Sequence, residues 1–136
     1  MEFDKGNLRM GMNGDKLLLK DETHAILGAA MEVLNDLGHG FHEKPYENSL
    51  VIEFGILGIP YSQQSRFDVS YKGYKVGEYI PDLIVHHEII VDSKVIESIT
   101  DREIGQMMNY LKVTGCKVGL IINFKHAKLE WKRVVL

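Results

Sequence analysis

The spacing of apolar residues changes along this chain from a helical period to a strand period, and this change restricts the fold more than any other feature. One series of apolar residues recurs at the 3.6-residue period of an amphipathic helix: Ile26, Ala30, Val33 and Leu37. A second series has the same period: Tyr46, Leu50, Phe54 and Leu57. We predict a first helix that is capped by Asp21 and ended by Gly38. We predict a second helix with Pro45 in its first turn and its end near Gly58.

After the second helix, apolar residues alternate with polar ones, as they do in β-strands. The alternation begins in residues 67–71 and resumes in residues 74–85 after a break at Lys72-Gly73. A second polar interruption, His86-His87-Glu88, precedes an apolar run over residues 89–96. These two reversals predict a three-strand antiparallel meander.

The last part of the chain predicts one more helix and two more strands. Thr100 and Glu103 have the spacing of a capping box, and Gly115 is a suitable helix stop. Residues 118–124 are typical of a buried strand, and residues 129–135 of a more exposed one. The predicted class is therefore α/β, with two helices, the meander, a helix and two further strands.

The composition is that of one soluble domain. The chain has 136 residues, of which 45% are hydrophobic and 26% are charged. Residues 1–19 show no hydrophobic period, so we expect a flexible N-terminal arm before a domain over residues 20–136. The arm has no secretory apolar block, and no apolar run approaches the roughly 20 residues that cross a bilayer. We therefore expect a cytoplasmic protein without a membrane partner.

Net charge and cysteine content exclude further classes. A net charge of −3 excludes a protein that coats nucleic acid by charge alone, so any nucleic-acid contact must be local. Cys116 is the single cysteine, which excludes an internal disulfide and a thiolate cluster for zinc.

Charged residues interrupt two of the apolar strand runs. Asp82 interrupts the first run, and Asp92 and Lys94 interrupt the second. A buried charge is costly unless another group compensates it. If the reversal is centred on His87, positions whose numbers sum to 174 are opposite each other, so Asp82 faces Asp92. Lys94 projects to the same face as Asp92 because side chains alternate along a strand.

These three side chains allow two interpretations. Two facing carboxylates can bind a divalent cation, while the lysine stabilises negative charge in phosphodiester hydrolysis. The alternative is a buried salt bridge between Lys94 and Asp92 or Asp82. The residue types alone leave both interpretations open.

The arrangement of these residues along the chain resembles a known signature. Pro81-Asp82, followed after nine residues by Asp92-Ser93-Lys94, resembles the PD-(D/E)XK signature of restriction-endonuclease-like nucleases. The resemblance covers residues 20–136 and implies a mixed central β-sheet flanked by α-helices.

Two further motifs support the resemblance. Gly40, Glu43 and Tyr46 match the GxxExxY pattern that names a small family within this superfamily. Gln106 and Tyr110 resemble the QxxxY motif of RecB-like nucleases.

The resemblance implies a metal-dependent nuclease. It makes Glu43, Asp82 and Asp92 the carboxylate ligands of the metal. It adds the backbone carbonyl of Ser93 to the ligands and makes Lys94 the catalytic lysine. The implied ion is Mg2+ or Mn2+, and the implied activity is phosphodiester hydrolysis of nucleic acid, with DNA as the expected substrate.

The predicted helices carry other charged and polar candidates. Arg102, Gln106 and Tyr110 recur at four-residue intervals, so we predict that this ridge contacts phosphate or a base. We interpret Glu47, one turn after Glu43, as a solvated helix carboxylate, with a supporting role in the site as the alternative.

A second function stays open from the sequence. A nuclease-like domain without a visible target-recognition element can serve as a noncatalytic module that binds nucleic acid or a protein as an accessory subunit. The sequence also leaves a homodimer open.

Overall fold

The computed structural model describes residues 18–136, which form three helices and seven strands. The helices are α1 (Lys20–Leu37), α2 (Glu43–Leu57) and α3 (Asp101–Thr114). The strands are β1 (Tyr61–Gln63), β2 (Phe67–Tyr71), β3 (Tyr74–Tyr79), β4 (Leu83–Val85), β5 (Ile89–Lys94), β6 (Val118–Asn123) and β7 (Glu130–Val135). Within residues 18–136, no helix combines the length and the apolar character needed to cross a membrane. The predicted arm, residues 1–19, lies outside the described residues except for its last two positions.

The helix ends confirm most of the predicted stops and starts. Gly38 and Gly115 follow the last residues of α1 and α3 with φ angles of 88° and 76°, which favour glycine. The predicted capping box is present at the start of α3, where the Thr100 N–H donates a hydrogen bond to Glu103 Oε1 at 2.8 Å. These contacts satisfy backbone groups that a helix end leaves unpaired.

The predicted cap at Asp21 is wrong. Helix α1 begins at Lys20, its N-cap is Leu19, and no side-chain hydrogen bond caps it. Asp21 therefore lies in the first helical turn. Its negative charge interacts favourably with the helix dipole there, but its side chain caps no backbone amide.

A mixed five-stranded sheet forms the centre of the fold, in the order β1-β4-β5-β6-β7. Strands β5 and β6 are parallel and are joined through α3, while the other neighbouring strands are antiparallel. The β4–β5 register places Leu83 opposite Val91 and Ile84 opposite Ile90. This confirms the predicted α/β class and the predicted pairing of positions whose numbers sum to 174.

The predicted three-strand meander needs correction, because its middle strand is divided between two sheets. Strands β2 and β3 form a separate antiparallel pair, whereas β4 pairs with β5 in the main sheet. Pro81 lies between β3 and β4, where it has no amide hydrogen to donate to a strand ladder. Strand β1, which has only three residues, all exposed, was not predicted from the sequence.

Two hydrophobic clusters lie on opposite faces of the main sheet. Ile89 and Val91 of β5 belong to the cluster that includes the buried residues of α1 and α2. Ile90 belongs to the other cluster, which includes the buried residues of α3. Because side chains alternate along a strand, Asp92 and Lys94 project to the α3 face.

Candidate active site

Asp82 and Asp92 lie at the end of the β4–β5 ladder. The last pair of the ladder is Leu83 and Val91. Asp82 comes directly before Leu83, and Asp92 comes directly after Val91. Here a side chain replaces the missing backbone partner, because the Ser93 N–H donates to Asp82 Oδ2 at 3.1 Å. This hydrogen bond holds the Asp82 carboxylate against β5.

Lys94 places a positive charge beside this pair. Its Nζ lies 3.4 Å from Asp92 Oδ2, and the two side chains are only 23% and 16% exposed. The structure thus brings Asp82, Asp92 and Lys94 together at the end of the β4–β5 ladder.

The group of Asp82, Asp92 and Lys94 has two carboxylates for one ammonium group. Burial and the negative charge of Asp92 raise the pKa of Asp82 to about 7. Burial also raises the pKa of Asp92, although the neighbouring Lys94 offsets part of the effect. One ammonium group faces two partly buried carboxylates, so ionisation of both leaves a negative charge that a cation would neutralise.

We expect the Asp82 carboxyl to reduce the stability of the metal-free protein as the pH rises from about 4 to about 7. The native carboxyl keeps its proton up to about pH 7, whereas an unfolded aspartate loses it near pH 4. The unfolding free energy of the Asp82→Asn variant, relative to that of wild type, should therefore be about 1–3 kcal/mol greater at about pH 8 than at about pH 5. Urea unfolding in EDTA measures this gain, with Asp36→Asn as an exposed control. An equal effect at both pH values would contradict the expectation.

Glu47 of α2 is buried, so its interpretation as a solvated helix carboxylate is wrong. It is 2% exposed. Lys44 Nζ donates to its Oε1 at 2.9 Å, and the Gln63 and Gln64 side-chain amides donate to its Oε2 at 2.7 and 2.9 Å. Burial alone would raise the pKa of Glu47, but these three donors bring the pKa below its usual value. Glu47 therefore stays ionised at neutral pH.

Gln64 connects Glu47 to the aspartate pair. Its side chain binds Glu47, and its backbone N–H donates to the Asp82 carbonyl at 3.2 Å. Its φ of 59° is unusual for a residue other than glycine. Burial and Asp92 are the main causes of the raised pKa of Asp82, and the charge of Glu47 is a smaller one. Glu47 thus acts electrostatically on Asp82.

The loop before α2 shows how the predicted GxxExxY residues fit the fold. The buried Tyr46 hydroxyl donates to the Gly38 carbonyl at 2.6 Å and accepts from the Phe41 N–H at 3.1 Å. Gly40 has a φ of 102°, a conformation that favours glycine. Glu43 is the first residue of α2 and is exposed. In this chain, therefore, the glycine permits the turn, the tyrosine holds it and the glutamate starts the helix.

Of the α3 ridge predicted to contact nucleic acid, Tyr110 lies near the aspartates. Tyr110 stacks on Tyr79 of β3 with ring centres 3.7 Å apart. Burial is the main cause of the raised pKa of Tyr110, and the charge of Asp92 is the next. Gln106 is half-buried and Arg102 is exposed, one and two turns before Tyr110.

The donor chemistry of the pair fits a hard divalent cation. Within residues 18–136, no group of three or more histidine, cysteine, aspartate or glutamate side chains is arranged to hold a metal ion. Glu43 is exposed, and the oxygens of Glu47 already accept hydrogen bonds from three side chains. Mg2+, however, is commonly bound by only one or two carboxylates and keeps several waters. Asp82 and Asp92 would supply the two carboxylates that a site of that kind uses.

Comparisons with known proteins identify the family and the fold. A sequence profile that describes the PD-(D/E)XK nuclease superfamily matches residues 20–134. A solved structure described as "Crystal structure of SSO0001" has a similar fold, with a TM-score of 0.54 and 14% sequence identity. The similarity covers 86% of this chain and 59% of that one, so this chain spans less than two thirds of that protein. No curated protein gives a significant match.

Proposed function

The chain belongs to the PD-(D/E)XK nuclease superfamily, and on this premise we propose that it hydrolyses phosphodiester bonds of DNA with Mg2+ or Mn2+. The observation that carries the proposal is the Asp82, Asp92 and Lys94 group at the end of the β4–β5 ladder. The family membership supports a nuclease-like function. We also propose, from Gly40, Glu43 and Tyr46, that the chain is a member of the GxxExxY family within this superfamily.

Each residue of the group has a role in this proposal. Asp82 and Asp92 bind the cation, together with the backbone carbonyl of Ser93. A divalent ion, when bound, polarises a phosphoryl oxygen and lowers the pKa of water. The Ser93 N–H keeps Asp82 in position. Lys94 stabilises the negative charge that develops on the phosphoryl oxygens as water attacks the phosphorus.

Helix α2 offers two glutamates as a further carboxylate of the site. The family resemblance implies Glu43 as this carboxylate, although Glu43 is exposed. Burial is the largest cause of the raised pKa of Asp92, and the charge of Glu43 adds to the increase. Glu47 is buried and is connected to Asp82 through Gln64. We assign the stronger effect to Glu47, because a buried ionised carboxylate acts on its neighbours with less screening by water.

The α3 ridge supplies contacts to the substrate in this proposal. Arg102 is exposed and cationic, which suits a phosphate contact. Gln106, one turn closer to Tyr110, can bind a base edge or a phosphate oxygen through its amide.

Two observations favour the second function, a noncatalytic module that binds nucleic acid or serves as an accessory protein subunit. Lys94 already pairs with Asp92, and the described residues contain no cluster of three metal-ligating side chains. In such a module, the group would serve as a structural ion pair.

The two functions are distinguished by cleavage of labelled DNA. We would incubate the pure chain with single-stranded, duplex and branched DNA in Mg2+, Mn2+ or EDTA, beside an Asp92→Asn control. The proposal predicts products with at least one DNA form and one ion, and none in EDTA or with the variant. Intact DNA in every wild-type reaction would favour the noncatalytic module, and equal cleavage by the variant would exclude Asp92 from the chemistry.

A further inference from the structure

The β2–β3 hairpin has an aromatic face that the rest of the fold covers only at one end. Its register pairs Phe67 with Tyr79 and Tyr71 with Tyr74. Because side chains alternate along β2, Phe67 and Tyr71 project from the same face. The register includes one extra residue in β3, Val76, so Tyr79 and Tyr74 lie opposite them on that face although they are five positions apart. The face therefore has one aromatic pair at the root of the hairpin and another at its tip.

The root of this face is fixed next to the candidate active site. Phe67 and Tyr79 pack against the hydrophobic cluster on the α3 side of the main sheet. Tyr79 also stacks on Tyr110 of α3. Asp82 follows Tyr79 by only three residues along the chain. A molecule that follows the aromatic face from the tip to the root therefore approaches the aspartate pair.

The tip of the face is exposed. Tyr71 and Tyr74 are 62% and 76% exposed. Within the described part of the chain, β2 and β3 form a sheet only with each other, and neither joins the main sheet. An exposed pair of aromatic rings at the end of a hairpin is a surface available for binding.

The charges of the hairpin are compatible with a phosphate at the tip. On the opposite face, Lys75 is compensated by Asp68 and Glu78, at 3.3 and 3.4 Å. At the tip, Lys72 Nζ lies 5.3 Å from the centre of the Tyr71 ring. Lys72 forms no ion pair with any residue from 18 to 136. Its ammonium group is therefore available to an anion that reaches the tyrosines.

We propose that the hairpin tip binds a single-stranded segment of nucleic acid, with bases stacked on Tyr71 and Tyr74 and a phosphate beside Lys72. This inference rests on the proposed function and adds the form of the substrate. Aromatic side chains stack on unpaired bases with little regard for sequence, and a neighbouring cation complements the phosphate backbone. A duplex keeps its base faces within the stack, so this surface favours unpaired bases.

The length of the hairpin sets the distance between this contact and the chemistry. Phe67 and Tyr71, which lie opposite Tyr79 and Tyr74, are four residue steps apart, which corresponds to about 13 Å along a strand. A nucleic-acid strand can span this distance with a few nucleotides, so one strand can contact the tip and the aspartate pair together.

The test is the affinity for a labelled oligothymidylate, measured by fluorescence anisotropy in EDTA with the full chain. We expect the Tyr71→Ala/Tyr74→Ala variant to bind at least about tenfold more weakly than wild type. The Tyr71→Phe/Tyr74→Phe variant keeps both rings and should restore the affinity to within about twofold. Ser70→Ala, on the opposite face of the same hairpin, is the matched control and should bind as wild type does.

The outcomes separate this inference from the proposed function, because EDTA removes the ions needed for cleavage. Equal affinity of wild type and the double alanine variant, or no wild-type binding, would overturn the inference and favour a protein as the occupant of the tip. Weak binding by the phenylalanine variant as well would show that ring stacking is not the cause. A chain that binds through the tip but cleaves no DNA would refute the proposed function alone.

Discussion

Lys94→Ala is expected to slow metal-dependent cleavage at least about a hundredfold. The Lys94 ammonium group lies 3.4 Å from Asp92 Oδ2 and is largely shielded from water. In this position it can stabilise the charge that develops on the phosphoryl oxygens, and an alanine offers no replacement. Initial cleavage rates at saturating Mg2+ or Mn2+ measure the loss.

The control for this variant is Lys117→Ala. Lys117 also forms an ion pair, with Glu88 at 3.0 Å, but it is 60% exposed and lies just before the opposite end of the β5–β6 ladder. We expect the Lys117→Ala variant to cleave at the wild-type rate. Since Lys94→Ala leaves Asp92 without its ion-pair partner, melting curves must show that the variant is folded at the assay temperature. Unchanged cleavage by folded Lys94→Ala would exclude a catalytic role for Lys94.

Glu47→Gln is expected to reduce cleavage by about 10–100-fold, the range typical of residues that orient metal ligands. The substitution removes a buried negative charge near Asp82. It also places an amide NH2 group among the donors of Lys44, Gln63 and Gln64, where an oxygen is required. The lost charge acts on Asp82 directly. The changed hydrogen bonds act on it through Gln64, whose backbone N–H donates to the Asp82 carbonyl. Cleavage rates across a Mg2+ titration measure the effect on ion affinity and on turnover.

Glu43→Gln is the matched comparison, because it makes the same change one helical turn earlier. Glu43 is exposed, and we expect its replacement to reduce cleavage less than that of Glu47. If Glu43→Gln causes the larger loss, the ligand implied by the GxxExxY resemblance is correct and the assignment to Glu47 is not.

The features that depend on local sequence were predictable. Hydrophobic period and glycine stops determine α1 and α2, and a capping box determines the start of α3. The β4–β5 register follows from a short hairpin, in which the position of the turn fixes every pair. Extended by one position, the same register predicts from the sequence alone that Asp82 faces Asp92.

The features that depend on tertiary contacts were not predictable in the same way. The short, exposed β1 has little pattern of its own and is defined by its pairing with β4. The alternation on both sides of Pro81 looks continuous, and only the division into two sheets shows that the proline ends a strand.

The position of Glu47 along the helix was a sequence signal for its burial. At about 100° per residue, it lies about 60° from the centre of the stripe formed by Tyr46, Leu50 and Phe54. A carboxylate at the edge of an apolar stripe is a candidate for burial with partners. Those partners, Gln63 and Gln64, come from a different part of the chain and could not be assigned without the fold.

The most direct test of the central claim is titration calorimetry of Mg2+ and Mn2+ into the metal-free protein at about pH 8, where the raised pKa of Asp82 still permits ionisation. The central claim is that Asp82 and Asp92 together form a site for a divalent cation. It predicts saturable binding by wild type and binding at least about tenfold weaker by Asp92→Asn. No binding by wild type, or the same affinity in wild type and Asp92→Asn, would contradict the claim.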